Sequence, residues 1–230
     1  SQGPVVHMYN GVGGSTIMYA AVWVRPTPAD FFAHTLDGVA EDWPITYREL
    51  QPYFEATDIE FGVSGLAGNP AYPPGAPPPL PPLPIGQTGR KAAQGMNKLG
   101  WHWWPGVNGI ASAKYGDQAQ CLRYGTCVAG CPAGAKGSTD VTHWPAAIRA
   151  GARLVSGARV KEVTLDAQGR ANGAVYIDRD GQEHFQPAAV VVMAANGIGT
   201  PRILLMSQSS RFPRGLANST GLVGKRLMLH

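Results

Sequence analysis

The sequence has 230 residues, of which 44% are apolar and 15% charged, so it can bury a large core in one large domain or two small ones. Its 19 basic and 15 acidic residues leave a net charge of +4 that is scattered along the chain, which argues against nucleic-acid binding. The longest strongly apolar run, residues 188–195, is far shorter than the roughly 20 residues of a membrane span, so we expect no transmembrane segment.

A glycine-rich turn lies near the start of the chain, Gly11-Val-Gly-Gly-Ser-Thr16. Residues 15–24 follow without a charged side chain, and this pattern predicts a buried helix that runs into a strand, with protein or cofactor on all sides. The turn alone is weak support for a dinucleotide site. Thr16 stands where the usual fingerprint has its third glycine, and no acidic residue follows at the required distance.

Two helices are predicted between residues 46 and 100. Thr46-Tyr-Arg-Glu49 fits a capping box and predicts a helix over residues 47–57, in which Pro52 is early enough to be tolerated. A second helix is predicted over residues 90–99, with Gly100 as its end.

Residues 68–84, called the proline-rich segment below, are too rich in proline for a helix or a central strand. They predict an extended surface loop, and the alternative is a docking motif for a proline-recognising partner. The run Trp101-His-Trp-Trp104 follows, and its indoles either line a substrate pocket or fill the core. We interpret His102 as a hydrogen-bonded packing residue rather than a base.

Three cysteines lie within eleven residues: Cys121, Cys127 and Cys131. An odd number in one cluster argues against a secreted disulfide framework, which favours the cytoplasm but leaves the compartment open. Their spacing, with a following proline, partly matches a ferredoxin run, but Tyr124 stands at the second ligand position. Packed thiols or one local disulfide are therefore preferred to an iron–sulfur cluster. Nearby, Lys136 steadies a helix end or a phosphate, or is simply solvated at the surface.

The second half of the chain predicts a helix, a run of strands and a final helix. The first helix covers residues 140–150, with Pro145 as a kink or break and Gly151 as its end. Five strands follow at residues 152–155, 160–165, 173–177, 183–186 and 190–194. The last strand leads into a second glycine turn, Ala194-Ala-Asn-Gly-Ile-Gly-Thr-Pro201, and into a helix that has Thr200 as its cap and Pro201 as its first residue. A turn between a buried strand and a helix brings bare backbone close to a dinucleotide's phosphates and ribose.

Four segments, in the right order, resemble the glucose-methanol-choline (GMC) flavin oxidoreductases. They are Val12-Gly-Gly-Ser-Thr with Val22-Trp-Val-Arg25, residues 42–54, residues 194–207, and residues 221–230. The resemblance implies an α/β fold: an FAD-binding, Rossmann-like fragment with an antiparallel β-meander and part of a substrate-facing region. It divides the chain into an FAD-binding part (1–67), a proline-rich and Trp-rich substrate-facing segment (68–120), and a part with the cysteine loop, the meander and the second FAD-binding segment (121–230).

The resemblance also implies which residues bind FAD. Backbone amides and a hydroxyl of Gly13, Gly14 and Ser15 would contact the diphosphate, and the backbone of Val160 would pair with adenine. The ribose side would be flanked by Ala194, Ala195 and Gly197. Thr16 and residues 18–20 would approach the isoalloxazine ring. Met18 stands where several relatives have a histidine bonded to the flavin, so we expect non-covalent FAD.

The implied reaction is oxidation of a CH–OH group in an alcohol, sugar acid or sterol-like small molecule, with hydride transfer to flavin N5. The electron acceptor is left undetermined, and the tryptophans favour an apolar or ring-stacking alcohol. The family's first glycine turn and catalytic histidine are expected outside this sequence, so we interpret it as a piece of a longer protein that is inactive alone. The alternatives are an iron–sulfur electron-transfer module built on Cys121, Cys127 and Cys131, or a non-catalytic remnant.

Overall fold

The computed structural model describes residues 8–225 and 227. The chain divides into two units, one ending at Leu154 and the other beginning at Val155. Part of the motif 221–230, including His230, lies outside the described residues. Within the described part of the chain, no helix has both the length and the apolarity needed to cross a membrane.

The first unit is built from short helices and long irregular segments. Its α-helices are α1 (Ala33–Asp37), α2 (Tyr47–Glu60), α3 (Gln87–Leu99), α4 (Thr139–Thr142) and α5 (Trp144–Arg149). Its 3-10 helices are Gly14–Ile17, Pro28–Phe32 and Cys127–Ala129. The predicted capping box is confirmed at α2, because Glu49 N–H donates to the Thr46 hydroxyl at 3.3 Å while the Glu49 carboxylate accepts from Thr46 N–H at 2.8 Å. The predicted end of α3 is also confirmed at Gly100, whose φ is +67°.

The centre of the first unit is an irregular backbone network rather than a sheet. Residues 107–111 hydrogen-bond on one side to residues 21–23 and on the other to residues 135–137, with N···O distances of 2.8–2.9 Å. The side chains of Ala21, Ile110 and Ala135 form the buried apolar cluster between these segments. This arrangement ties the residues after the first glycine turn to those after the cysteines.

The predicted helix and strand over residues 15–24 are wrong. Only the 3-10 helix Gly14–Ile17 and a single bridge at Val22 form, and the side chains of Val22 and Val24 are 62% and 73% exposed. The physical reason is the backbone of Ala21, whose φ of +63° fits neither a helix nor a regular strand. Absence of charge in this segment therefore did not mean burial on all sides.

The helix predicted over residues 140–150 forms as two pieces, α4 and α5, which meet at His143. Pro145 lies at the start of α5, where its missing N–H is harmless, whereas continuing α4 through it would bring its ring against a carbonyl of the preceding turn. The break is thus confirmed, as is the end of α5 at Gly151, which has a φ of +94°.

In its described residues, the second unit contains a three-stranded antiparallel sheet and one helix. The strands are β1 (Arg159–Leu165), β2 (Ala171–Ile177) and β3 (Glu183–Pro187), in the order β1-β2-β3, and the helix is α6 (Asn196–Met206). Each turn is closed by an aspartate at its start. Asp166 accepts from Arg170 N–H at 2.8 Å, and Asp178 accepts from the N–H groups of Asp180 and Gln182 at 2.9 Å. The predicted strands at residues 160–165, 173–177 and 183–186, and their antiparallel meander, are confirmed.

Two of the five predicted strands do not form, those at residues 152–155 and 190–194. Val190 and Val192 are 77% and 80% exposed. No segment within residues 8–225 pairs with either run in a ladder, and a strand needs a neighbour to satisfy its backbone N–H and C=O groups. Apolar, β-branched sequence alone was therefore insufficient.

Candidate cofactor site

The two glycines of the first turn have different surroundings. Gly13 and Gly14 have φ values of +93° and +54°, the left-handed region that glycine adopts most easily. A Cβ on Gly13 would lie 2.9 Å from Asp140 Oδ1, so Gly13 is packed against the protein. A Cβ on Gly14 would meet nothing within 4 Å. A ligand could therefore approach Gly14 on its Cβ side without meeting a side chain, while its N–H donates to the carbonyl of Gly11 at 2.9 Å and closes the turn.

Two threonines hold this turn in shape. The Thr16 hydroxyl donates to the carbonyl of Gly13 and accepts from Thr139 N–H at 3.1 Å. The Thr139 hydroxyl donates to the same Gly13 carbonyl at 3.1 Å. The neighbouring Ser15 is exposed, and its hydroxyl accepts a long hydrogen bond of 3.4 Å from Tyr9 N–H. Thr139 was not among the predicted site residues, although a hydroxyl residue directly before a predicted helix was a visible signal.

The segment after the turn is fixed from behind by Lys136. This side chain is only 1% exposed, and its ammonium donates to the carbonyls of Ile17, Tyr19 and Cys127. The surface interpretation of Lys136 is therefore wrong. The prediction that it steadies a helix end is confirmed, because Ile17 is the last residue of the 3-10 helix. Burial lowers the pKa of Lys136, and the neighbouring Cys127, Cys131 and Asp140 oppose that shift.

Tyr19 is a neutral phenol that faces the interior. Burial, with a further contribution from Cys127, raises the pKa of Tyr19 to about 12. Its hydroxyl donates to the carbonyl of Gly137 at 2.7 Å. Tyr19 is thus suited to holding two segments together and unsuited to accepting a proton near neutral pH.

The cysteine cluster consists of free, half-buried thiols packed against the apolar cluster of the first unit. Sulfur atoms of Cys121 and Cys131 accept backbone N–H groups at 3.4 and 3.3 Å. In the described ranges, no group of three His, Cys, Asp or Glu side chains is arranged to hold a metal ion. The structure favours packed thiols over the iron–sulfur alternative.

The second glycine turn begins α6, and an asparagine caps it. Asn196 has a φ of +62°, and its side-chain oxygen accepts from the N–H groups of Ile198 and Gly199 at 2.8 and 3.0 Å. The predicted cap at Thr200 is wrong, since its hydroxyl instead accepts from Ala195 N–H at 3.0 Å. Because Asn196 already satisfies the first amides, the helix starts five residues before Pro201, which lies inside it.

The other predicted residues of the second turn are accessible. Ala194 and Gly197 are exposed, and Ala195 is half-buried at the helix start. Val160 lies on β1 opposite Tyr176, and its carbonyl accepts from Arg202 of α6 at 3.4 Å. Since β1 is an edge strand, part of its backbone is not committed to the sheet.

Contacts between α6 and β1 make the second turn and Val160 part of one packed body. Ile203 and Val163 are buried, and the Ser207 hydroxyl accepts from Val163 N–H at 2.8 Å. The residues Gly13 to Thr16 are likewise brought together in the first unit. Because the two turns belong to different units, a nucleotide shared by both stays a prediction.

The first unit also contains a cavity of about 530 Å³ beside the tryptophan run. Trp104 lines it, together with Trp23, Tyr47 and part of the proline-rich segment. Trp101 is 63% exposed, so core filling is wrong for that residue. One wall carries the ion pair of Arg25 and Asp58, with an N···O distance of 2.6 Å.

The proline-rich segment is irregular, as predicted, and is fastened to α2 by two side chains. Gln51 donates to the carbonyl of Pro74 at 2.9 Å, and Glu55 accepts from Ala76 N–H at 3.0 Å. His102 hydrogen-bonds Asn69 at 3.2 Å. These contacts define one side of the cavity.

A family model described as GMC oxidoreductase matches residues 2–230. The chain belongs to the GMC oxidoreductase family. It is 45% identical over 230 residues to a 2-methyl-1,2-propanediol dehydrogenase of Mycolicibacterium austroafricanum, covering 97% of this chain. It is 36% identical to the fructose dehydrogenase large subunit of Gluconobacter japonicus and 32% identical to a 6'''-hydroxyparomomycin C oxidase of Streptomyces lividus, each over 96% of this chain. The GMC chain spans 41% of the length of each of these relatives.

Proposed function

We propose that this chain forms part of the FAD site of an oxidoreductase that oxidises a CH–OH group of a small-molecule alcohol. The observation that carries the proposal is the first glycine turn, in which Gly13 is packed inward while the Cβ position of Gly14 faces open space. Family membership supports it, as do relatives whose names are those of dehydrogenases and oxidases of a diol, a sugar and an aminoglycoside.

The residues present fit the diphosphate of a flavin nucleotide. An anion beside Gly14 would meet no side chain at that position, and the exposed hydroxyl of the next residue, Ser15, could donate to it. We expect Thr16 and residues 18–20 to approach the ring. Met18 has no nitrogen with which to bond a flavin covalently, so the cofactor would be held by non-covalent contacts alone.

The second unit would contribute the nucleotide end of the site. We expect Ala194, Ala195 and Gly197 to flank the ribose and the backbone of Val160 to meet adenine. The arrangement of β1 and α6 supports this, because it leaves the α6 start exposed and Val160 on an edge strand. In the proposal the chain is a Rossmann-like part of a larger flavin-binding fold, divided into the parts 1–67, 68–120 and 121–230.

Bound FAD would supply the acceptor for the hydride, while these residues bind and orient it. Tyr19 is not the proton acceptor for the substrate hydroxyl, because its pKa of about 12 keeps the phenol protonated. The Lys136 ammonium is engaged by three carbonyls. We assign no catalytic base and no electron acceptor to this chain.

The test compares alanine substitutions at left-handed glycines in the full-length protein. Gly14→Ala and Gly38→Ala introduce the same backbone strain, on the order of 1 kcal/mol, and neither Cβ meets another atom within 4 Å. Only Gly14 belongs to the proposed site. We expect FAD titration, followed by fluorescence, to give a Kd raised about tenfold or more for Gly14→Ala and an unchanged Kd for Gly38→Ala.

Gly13→Ala shows how a substitution in the same turn that damages the fold differs from one that affects binding alone. Its Cβ would lie 2.9 Å from Asp140 Oδ1 in addition to the strained φ, so this variant should lose more thermal stability than Gly14→Ala. A folded Gly14→Ala protein that binds FAD as tightly as the wild type would contradict the proposed site.

A further inference from the structure

Lys136 is an unusual buried charge. It is among the largest fully buried side chains, and within the described residues no carboxylate forms an ion pair with it. Burying an ammonium without a counterion is strongly unfavourable unless other acceptors replace water. A lysine retained in such a place must therefore be held by specific contacts.

Backbone carbonyls provide those contacts. Nζ donates to the carbonyls of Ile17, Tyr19 at 3.1 Å and Cys127 at 2.7 Å, which uses all three of its N–H groups. It also lies 5.1 Å from the centre of the Tyr19 ring, within the range of a cation–π interaction. One side chain thus joins the end of the first 3-10 helix, the residues after it and the start of the helix Cys127–Ala129.

These contacts decide which face of residues 17–20 is presented outward. The carbonyls of Ile17 and Tyr19 turn inward to Nζ, while Met18 is 41% exposed and Ala20 is exposed. No other side chain donates to these two carbonyls in the described part of the chain. Without the ammonium, both carbonyls would lose this partner, and the segment would lose one of the contacts that fix its orientation.

We propose that Lys136 is a positioning residue of the cofactor site: it holds residues 17–20 so that Met18 and Ala20 face the flavin ring, and it places a fixed positive charge behind that surface. This inference rests on the proposed function. Lys136 itself does not touch the outer face, so it acts through the backbone that it binds and through its field, which is weakly screened inside the protein.

The test substitutes Lys136→Met in the full-length protein, which keeps the length and apolar stem of the side chain but removes the charge and all three donors. We expect the Kd for FAD to rise on the order of tenfold. In the fraction loaded at saturating FAD, the flavin absorption spectrum should change and the midpoint potential should fall, because a positive charge favours the electron-rich reduced flavin. Lys91 is an exposed lysine on α3, and Lys91→Met should change none of these three quantities.

Ile110→Val controls for loss of stability alone, since Ile110 is buried in the apolar cluster with Ala135, the residue before Lys136, and the substitution removes one buried methylene group. It should leave the flavin spectrum and potential unchanged. If Lys136→Met does not fold, Lys136→Gln replaces it, because its amide retains two donors. The Kd for FAD should then still exceed that of the wild type, and the midpoint potential should still be lower, because the positive charge is removed.

Wild-type affinity, spectrum and potential in a folded Lys136→Met or Lys136→Gln protein would overturn the inference alone. Equal shifts in Ile110→Val would also overturn it, because loss of stability would then explain the result. A wild-type protein that fails to bind FAD would instead refute the proposed function, and this inference with it.

Discussion

The contact between α6 and β1 depends on one buried hydroxyl, and removing it has a calculable effect. Ser207 is 3% exposed; its hydroxyl accepts from Val163 N–H at 2.8 Å and donates to the carbonyl of Ile203 at 2.7 Å. That carbonyl also accepts from Ser207 N–H at 2.9 Å, so it stays satisfied in Ser207→Ala. The substitution therefore leaves one buried group without a partner, the N–H of Val163.

The expected loss of free energy follows from this one unpaired N–H. A buried N–H deprived of its acceptor costs about 1–3 kcal/mol, and Val163 is only 7% exposed, so water does not easily replace the hydroxyl. At 1.4 kcal/mol per factor of ten, this raises the opening equilibrium of the β1–α6 contact about 5- to 140-fold. The effect should be confined to the second unit, because both partners lie there.

Amide hydrogen exchange of the full-length protein measures this opening directly. We expect exchange at Val163 to accelerate by that factor in Ser207→Ala and to stay unchanged in Ser210→Ala, which removes an exposed hydroxyl three residues away. Unchanged protection of Val163 in Ser207→Ala would refute the reasoning, since it would mean that the hydroxyl carries no part of the contact.

Three further predictions concern the first unit. Asp58→Ala should lower the free energy of unfolding by about 3 kcal/mol, because it strands the Arg25 guanidinium, 19% exposed; urea unfolding should show part of this recovered on adding Arg25→Met. Gly137→Ala should lower the melting temperature, measured by circular dichroism, since its Cβ would lie 2.6 Å from a backbone carbonyl. Hydrogen bonds from Gln51 and a backbone N–H lower the pKa of Glu55. The contact of the charged carboxylate with the proline-rich segment is therefore complete above the ordinary glutamate pKa and is lost as pH falls through the lowered value. Proteolysis of that segment should therefore rise in acid, and less so in Glu55→Gln.

Features fixed by neighbours in sequence could be predicted from the sequence. The capping box of Thr46 and Glu49 and the end of α3 at Gly100 each depend on groups within a few residues. The same holds for the turns that begin at Asp166 and Asp178, which fixed the meander. In each of these features, the residue type itself supplies the hydrogen-bonding group or favours the backbone angle that the local structure needs.

Features that depend on distant partners could not be predicted. Residues 190–194 have the composition of a buried strand, yet composition does not say which segment will pair with them. Asn196 shows a milder case of the same kind. Its side chain can cap a helix as well as Thr200 can, and only the observed left-handed backbone at Asn196 distinguishes the two positions.

The candidate site also combines residues that the sequence made visible with distant residues that it did not, and this difference bears on mutations. The glycines were visible in the sequence because their lack of a side chain is itself the signal, but Thr139 and Lys136, which hold the turn, lie about 120 residues away. A lone lysine among apolar residues is typical of a solvated surface, and its burial follows only from three carbonyls that converge on it. Variation at Thr139 or Lys136 should therefore alter the proposed FAD site as strongly as variation in the glycine turn, although neither side chain is expected to touch the cofactor.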